Sequence, residues 1–305
     1  MGTTLSLVDG AAEVRFAAAG MNYDSPYKCK SYDFGSPTIR EVVTDATGVS
    51  GTVDLSSLTG SRQVQLALTV WNDDAGTRHQ HLDTLRAICQ PARRPWLYAQ
   101  CDGWEQQRRI QLRATPMTCT VGSKNTSYLE VSLAFAAPTG LFEALEPVVT
   151  GPAYPQTGAG FSLDPGDAGS AALYLAPGDA GSPALSLAAG DGGNLLTITN
   201  VGSAPAAPVF TITGPCASPQ IINYTTGVRI AFGNYTVPDG HSVVIDVARR
   251  TVLLDGDPAQ SLYNRVDWSV SRWFLLEPGT TTLAFASGDD GASGQLVVQH
   301  SPRFF

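Results

Sequence analysis

The side chains best suited to chemistry in this sequence are few, and their spacing is poor for it. Of four histidines only His79 and His81 are near neighbours. Two residues apart on a helix they differ by about 200°, so their rings point to opposite sides and cannot share a metal ion; a surface pair is expected. The adjacent carboxylates Asp73-Asp74 and Asp289-Asp290 could be set against glycoside hydrolysis, but each pair lies in a Gly-rich loop, where acidic residues face water. Asp167, Asp179 and Asp191 recur in Gly-Asp turns at a spacing of 12 residues. Stacked turns of this kind offer calcium one carboxylate each, a thin set beside the roughly 6 to 8 oxygens it takes, and an aspartate bonding its own backbone is the preferred reading. The five cysteines, Cys29, Cys89, Cys101, Cys119 and Cys216, contain no C-x-x-C pair and no zinc-site spacing. Reduced, mostly buried thiols are expected. There is no G-x-S-x-G elbow, no Walker loop, no H-E-x-x-H and no G-x-G-x-x-G opening a helix. The reading is therefore of a protein that is not an enzyme, with no catalytic residue, no metal and no cofactor.

The aromatic residues raise a different possibility, stacking against a pyranose ring. Tyr263, Trp268, Trp273 and Phe274 fall close together. Trp273 begins a run into Leu275 and Leu276, which suits core packing, whereas Trp268 in Asp267-Trp268-Ser269 is open to either burial or exposure. Trp268, Tyr263 and Asn264 are thus the candidate glycan contacts. A recognition module would expose them in a groove; a structural adaptor would bury them or set them against another protein.

The elements that must carry these residues are mostly strands. The chain has 305 residues, 43% of them apolar, enough for two domains with cores, and its 31 glycines, 20 prolines and 15% charged residues point to short strands joined by turns. A net charge of -8, with no basic cluster beyond Arg108-Arg109 and Arg249-Arg250, argues against specific binding of nucleic acid or an acidic membrane. Met1 to Gly10 lacks the layout of a secretion signal and no apolar run approaches the roughly 20 residues of a membrane span, so folding in a cytoplasm is expected. Val64, Leu66, Leu68 and Val70 alternate as a half-buried strand. Leu82, Leu85 and Ile88 then recur at helical spacing, predicting a helix from Thr77 to Gln90 that Pro91 ends. Further strands are expected at Trp96 to Gln100, Arg109 to Ala114 and Tyr128 to Ala136. Next comes a low-complexity segment in which Phe161-Ser-Leu163, Leu173-Tyr-Leu175 and Leu185-Ser-Leu187 are each followed by a Gly-Asp turn, a repeat suited to an arm or a linker. Beyond Asn194 strands are expected at Leu195 to Thr199, Val209 to Thr213, Val228 to Phe232, Ser242 to Val247, Thr251 to Leu254, Trp273 to Leu276 and Thr281 to Ala286, spaced as in a sandwich. Gln295 to Phe305 could add a last strand there or return to the first domain.

Gly214-Pro215, the run from Pro219 to Phe232, Asp239-Gly240 before Val243 to Val247, Arg249 to Val252, Trp273 and Leu276 to Gly279 follow one another in an order that resembles the C-terminal half of siphophage distal tail proteins. Thr281 stands where that family often has asparagine. In the first half, Asp45 to Gly48, Leu82 to Ala87 and Arg94-Pro95 resemble the minor tail proteins of actinobacterial phages. The resemblance implies a mostly β protein: residues 1–147 as a β-sheet plus one helix that closes into a ring, usually a hexamer, at the tail tip; residues 148–193 as a repeat arm or linker; and residues 194–305 as a galectin-like β-sandwich. It further implies a structural role joining the tail tube to the hub and host-recognition apparatus, with the tail tube protein, tape measure protein, hub and other minor tail proteins as partners. DNA would pass through the lumen unbound, no membrane would be involved, and the protein would sit in the virion after assembly in the host cytoplasm. The alternative is a tail module that binds host cell-wall glycan.

Overall fold

A computed structural model describes residues 3–18, 25–45, 52–124, 127–155, 194–288 and 293–305. The repeat with Asp167, Asp179 and Asp191 lies outside the described residues, as do Asp289-Asp290. The chain divides into two units, one of Met1–Pro147 with Gly202–Ala204 and Ser301–Phe305, the other of Val148–Val201 with Pro205–His300.

The first unit is built on the long strand Thr52–Trp71. In its second half the predicted alternation holds: Val64, Leu66, Leu68 and Val70 are buried and lie antiparallel to Tyr128–Ala137, with Leu66 opposite Leu133 and Leu68 opposite Val131. Tyr27–Asp33 flanks the other side. The first half pairs only with Pro37–Asp45 among the described residues, from Thr59 opposite Ile39 to Thr52 opposite Asp45, and so leaves the sheet as a two-stranded ribbon. Thr4–Asp9, Ala12–Ala18, Trp96–Gln100, Arg108–Gln111, Phe142–Ala144 and Arg303–Phe304 complete an eleven-stranded sheet, whose far end is Arg113–Lys124. The strand expected at Arg109 to Ala114 is in fact two. Arg108–Gln111 pairs with Trp96–Gln100, and after Leu112 the chain pairs with Tyr128–Ala137 instead.

The helix runs Ala75–Ile88, two residues ahead of the predicted start, because Asp74 caps it: its carboxylate accepts from the Thr77 amide at 2.6 Å. Leu82, Leu85 and Ile88 face the core as their spacing requires.

The second unit is a sandwich of two antiparallel sheets sharing one core. The five-stranded sheet runs Val148–Ala153, Gln295–His300, Val209–Thr213, Ser242–Asp246, Thr251–Leu254; the four-stranded sheet runs Leu195–Asn200, Gly279–Ala286, Gln220–Asn223, Arg229–Ala231. Phe210, Ile212, Ile221, Val243, Ile245, Leu283 and Phe285 fill the space between them. The segment 148–153, inside the span that composition assigned to an arm, is thus an edge strand, its alternation masked by high exposure. The expected strand at Trp273 to Leu276 is replaced by irregular chain with a single bridge, Leu276 to Ala206. The last segment does both things the sequence allowed: Gln295–His300 joins the sandwich, and Arg303–Phe304 lies in the sheet of the first unit beside Phe142–Ala144.

Candidate functional site

The candidate glycan residues sit on the long excursion between Thr251–Leu254 and Gly279–Ala286. Without ladder bonds of its own, this loop must satisfy its backbone elsewhere. The amides of Asp267 and Arg272 donate to the carbonyls of Ala231 and Arg229, both at 2.9 Å, and Gly233 donates to Arg265. The buried Ser271 hydroxyl accepts the Ala231 amide at 2.9 Å and lies 3.3 Å from the Ala231 carbonyl. Tyr263 opens a short 3-10 turn ending at Arg265. The Ser269 hydroxyl and amide hold the Asp267 carboxyl below its ordinary pKa and tighten the turn before Trp268.

Three rings result in a row. Tyr263 and Trp268 have centroids 4.7 Å apart, and Trp268 and Trp273 5.1 Å, with tilts of 32° and 46°. The Trp268 indole N–H donates to the Tyr263 carbonyl at 3.0 Å. Tyr263 is 45% exposed, Trp268 and Trp273 are half-buried against the sandwich core, and Asn264 is exposed. The structure therefore brings Tyr263 and Trp268 together and adds Trp273, which sequence reasoning had sent to the core. An aromatic spacing of five residues, 263, 268 and 273, was the available signal. The arrangement leaves Tyr263 and the neighbouring Asn264 exposed at one end of the row.

The other candidates have structural duties. His79 bonds the Ala75 carbonyl, while His81 packs edge-on to Tyr27 at a centroid distance of 5.6 Å and is half-buried rather than a surface partner of His79. Cys29, Cys89 and Cys216 are buried and Cys101 is half-buried; burial pushes the Cys29 thiol up to about 11, far from a nucleophile. The side chain of Cys119 lies outside the described residues. The basic pair Arg108-Arg109 is not a surface patch. The Arg108 guanidinium lies 3.5 Å from the ring centroid of Phe304 and 4.3 Å from that of Trp104, and Arg109 lies 4.7 Å from Trp96. Among the described residues no three His, Cys, Asp or Glu side chains form a group that could hold a metal ion, and no helix is long and apolar enough to cross a membrane.

Residues 201–304 match the family of the siphovirus-type tail component, C-terminal domain. No curated protein matches the chain. Among solved structures it is similar to the Dit protein of phage SPP1, described as a paradigm of hub adsorption apparatus in phages infecting Gram-positive hosts, with a TM-score of 0.64 at 11% identity over 99% of both chains. It is also similar to a chain of the phage P2 baseplate in its activated conformation with calcium, with a TM-score of 0.50 at 13% identity over 98% of both chains. At such identities the likeness is one of fold, and it runs the length of the chain. The family match thus covers much of the second unit, and the likeness in fold to the Dit protein covers both units.

Proposed function

We propose that copies of this protein close into a ring, a hexamer, at the tail tip, joining the tail tube to the hub and host-recognition apparatus. Residues 1–147 make the ring, residues 154–193 form an arm or linker, and residues 148–153 with 194–300 make a galectin-like sandwich as the second domain. The observation that carries the reading is the ribbon formed by Pro37–Asp45 with the first half of Thr52–Trp71: a hairpin that leaves its own sheet has its natural covering in a neighbouring subunit. The tail tube protein, tape measure protein, hub and other minor tail proteins are the partners. DNA slides through the lumen without specific contact, helped by the net charge of -8. The role is non-enzymatic, in the virion, after assembly in the host cytoplasm. Imaging and light scattering of the purified protein test this. Closed rings that are lost when residues 40–57 are replaced by a short turn, with the thermal unfolding midpoint little changed, are expected. A protein of single-chain mass at all concentrations would end the reading.

A second reading, a host cell-wall glycan contact through Trp268, Tyr263 and Asn264, is favoured by the packing of Tyr263 on Trp268 with Tyr263 and Asn264 exposed. Retention of the protein on purified cell wall, abolished in Trp268→Ala, supports it; equal retention of both proteins refutes it.

A further inference from the structure

Among the described residues two arginines are almost wholly buried, both in the first unit, and their surroundings differ. Arg78 is 6% exposed and donates to the carbonyls of Asn72 and Asp73, so its charge secures the turn before the helix. Arg62 is 3% exposed, yet among the described residues it makes no hydrogen bond and no ion pair. Its Cζ lies 5.1 Å from the centroid of the Phe142 ring. Burial pushes the Arg62 pKa down, and no neighbouring carboxylate opposes the shift. A guanidinium stripped of water and left without an acceptor destabilises a fold, and a ring face offsets only part of the loss. A methionine of similar length would fill the same space without burying a charge. The packing of a single chain therefore does not explain why an arginine stands here.

Arg62 ends the run of core-facing residues Val64, Leu66, Leu68 and Val70, opposite Ala137 in one neighbouring strand and Pro37 in the other. Backbone is close-packed beside it. Gly140 has a φ of +66°, and a Cβ there would stand 2.1 Å from the Gly60 carbonyl oxygen and 3.1 Å from the Pro37 side chain. Chain packed this tightly keeps its place before anything binds. The Nε of Arg62 is sealed inside without a partner. Nη1 and Nη2 have no partner among the described residues either, but they are not sealed, so the slight exposure of the residue is that of the fork.

We infer that Arg62 is a binding site for one carboxylate, taken by the Nη1–Nη2 fork while Phe142 backs the guanidinium. A carboxylate presents two oxygens at the spacing of the fork, and two charge-assisted bonds supply what burial removed. The narrow opening admits a single planar group and not a charged surface. A free carboxylate and an acid side chain of another copy share this chemistry, and the chain carries 27 acidic residues against 19 basic ones, so a second copy brings carboxylates in excess. The site does not depend on ring closure.

Thermal unfolding and light scattering of the full chain, in sodium formate and in sodium chloride at equal ionic strength, test the site with Arg62→Met and Arg62→Lys. For a free carboxylate, formate is expected to raise the wild-type midpoint by about 2–4 °C above chloride at saturation. It should leave Arg62→Met unmoved and raise Arg62→Lys by less, because an ammonium lacks the fork. For a carboxylate from a second copy, the wild type in chloride is expected to exceed Arg62→Met in mass, and formate to bring it down to the mass of the variant. Either pattern supports the inference and names the source. A formate effect that is the same in the wild type and Arg62→Met, or absent from both midpoint and mass, overturns it. So does an Arg62→Met protein that fails to fold, or that melts below the wild type at equal mass, since the arginine would then serve the single chain. A wild type of single-chain mass in both salts ends the ring reading alone, and the formate midpoints still decide the site.

Discussion

Ser271 is a small residue with a large responsibility. It is 1% exposed, and its hydroxyl serves both backbone groups of Ala231 from the far side of an irregular loop. In Ser271→Ala those groups stay buried with a partner gone, which costs about 1–3 kcal/mol; urea unfolding should show a loss of that size, with the aromatic row shifting in near-ultraviolet circular dichroism. His300 makes the complementary case of a titratable group. It is 2% exposed at the end of Gln295–His300, and burial pushes its pKa below the ordinary 6.5. The folded protein thus binds fewer protons than the unfolded chain in this range. The contribution of neutral His300 is complete above the unfolded value and is lost as the pH falls through the folded one. Thermal melts from about pH 7 to 5 should decline more steeply for the wild type than for His300→Gln, and parallel declines would show that the histidine is not responsible. Neither role was visible in the sequence, where Ser271 is one serine among many and His300 one isolated histidine. What makes them matter is the set of distant groups that the topology places around them. Trp268 and Tyr263 were legible because aromatic clusters are rare in a turn-rich segment, whereas the loop conformation that lines up Trp273 with them was not.

Among the elements, those with one buried face were the easiest to find. The helix Ala75–Ile88 places Leu85 at 0% exposure, and Leu85→Ala should cost about 2–5 kcal/mol in chemical unfolding, with the strand content of the folded protein unchanged. The strand Tyr128–Ala137 and most sandwich strands declared themselves through period-two alternation between Gly and Pro turns, because each has a core face and a solvent face. Elements outside that pattern were missed. Tyr27–Asp33 buries only Tyr27 and Cys29, and Val148–Ala153 only Ala153, so neither needs alternating apolar residues. The run at Trp273 misled for the opposite reason: it is apolar enough for a strand, but the adjacent edge is already served by the Asp267 and Arg272 amides, and the chain crosses without forming a ladder.

At the scale of the molecule, the division into two units does not follow the linear order of the sequence. Residues 202–204 and 301–305 belong with the first unit although the sandwich lies around them in sequence. Ala204 bridges to Arg303, Arg303 reaches Glu143 at 3.3 Å, and Phe304 is buried beneath Arg108. Removing residues 302–305 should therefore lower the unfolding midpoint of the first unit and expose the edge of Phe142–Ala144, measurable as faster hydrogen exchange in that strand; an unchanged exchange rate there would show that the short strand is dispensable. No composition or motif announced this return, because a two-residue strand carries no periodicity and its partner lies 160 residues away.

That separation has a consequence for timing. A ribosome releases the chain in order, so Phe142–Ala144 emerges and waits while the whole sandwich is synthesised before Arg303–Phe304 can dock against it. The first sheet of a nascent or truncated chain is left with an unfinished border. Only a chain whose translation has run through both units can complete that border, so the finishing of the first sheet depends on synthesis of the second unit.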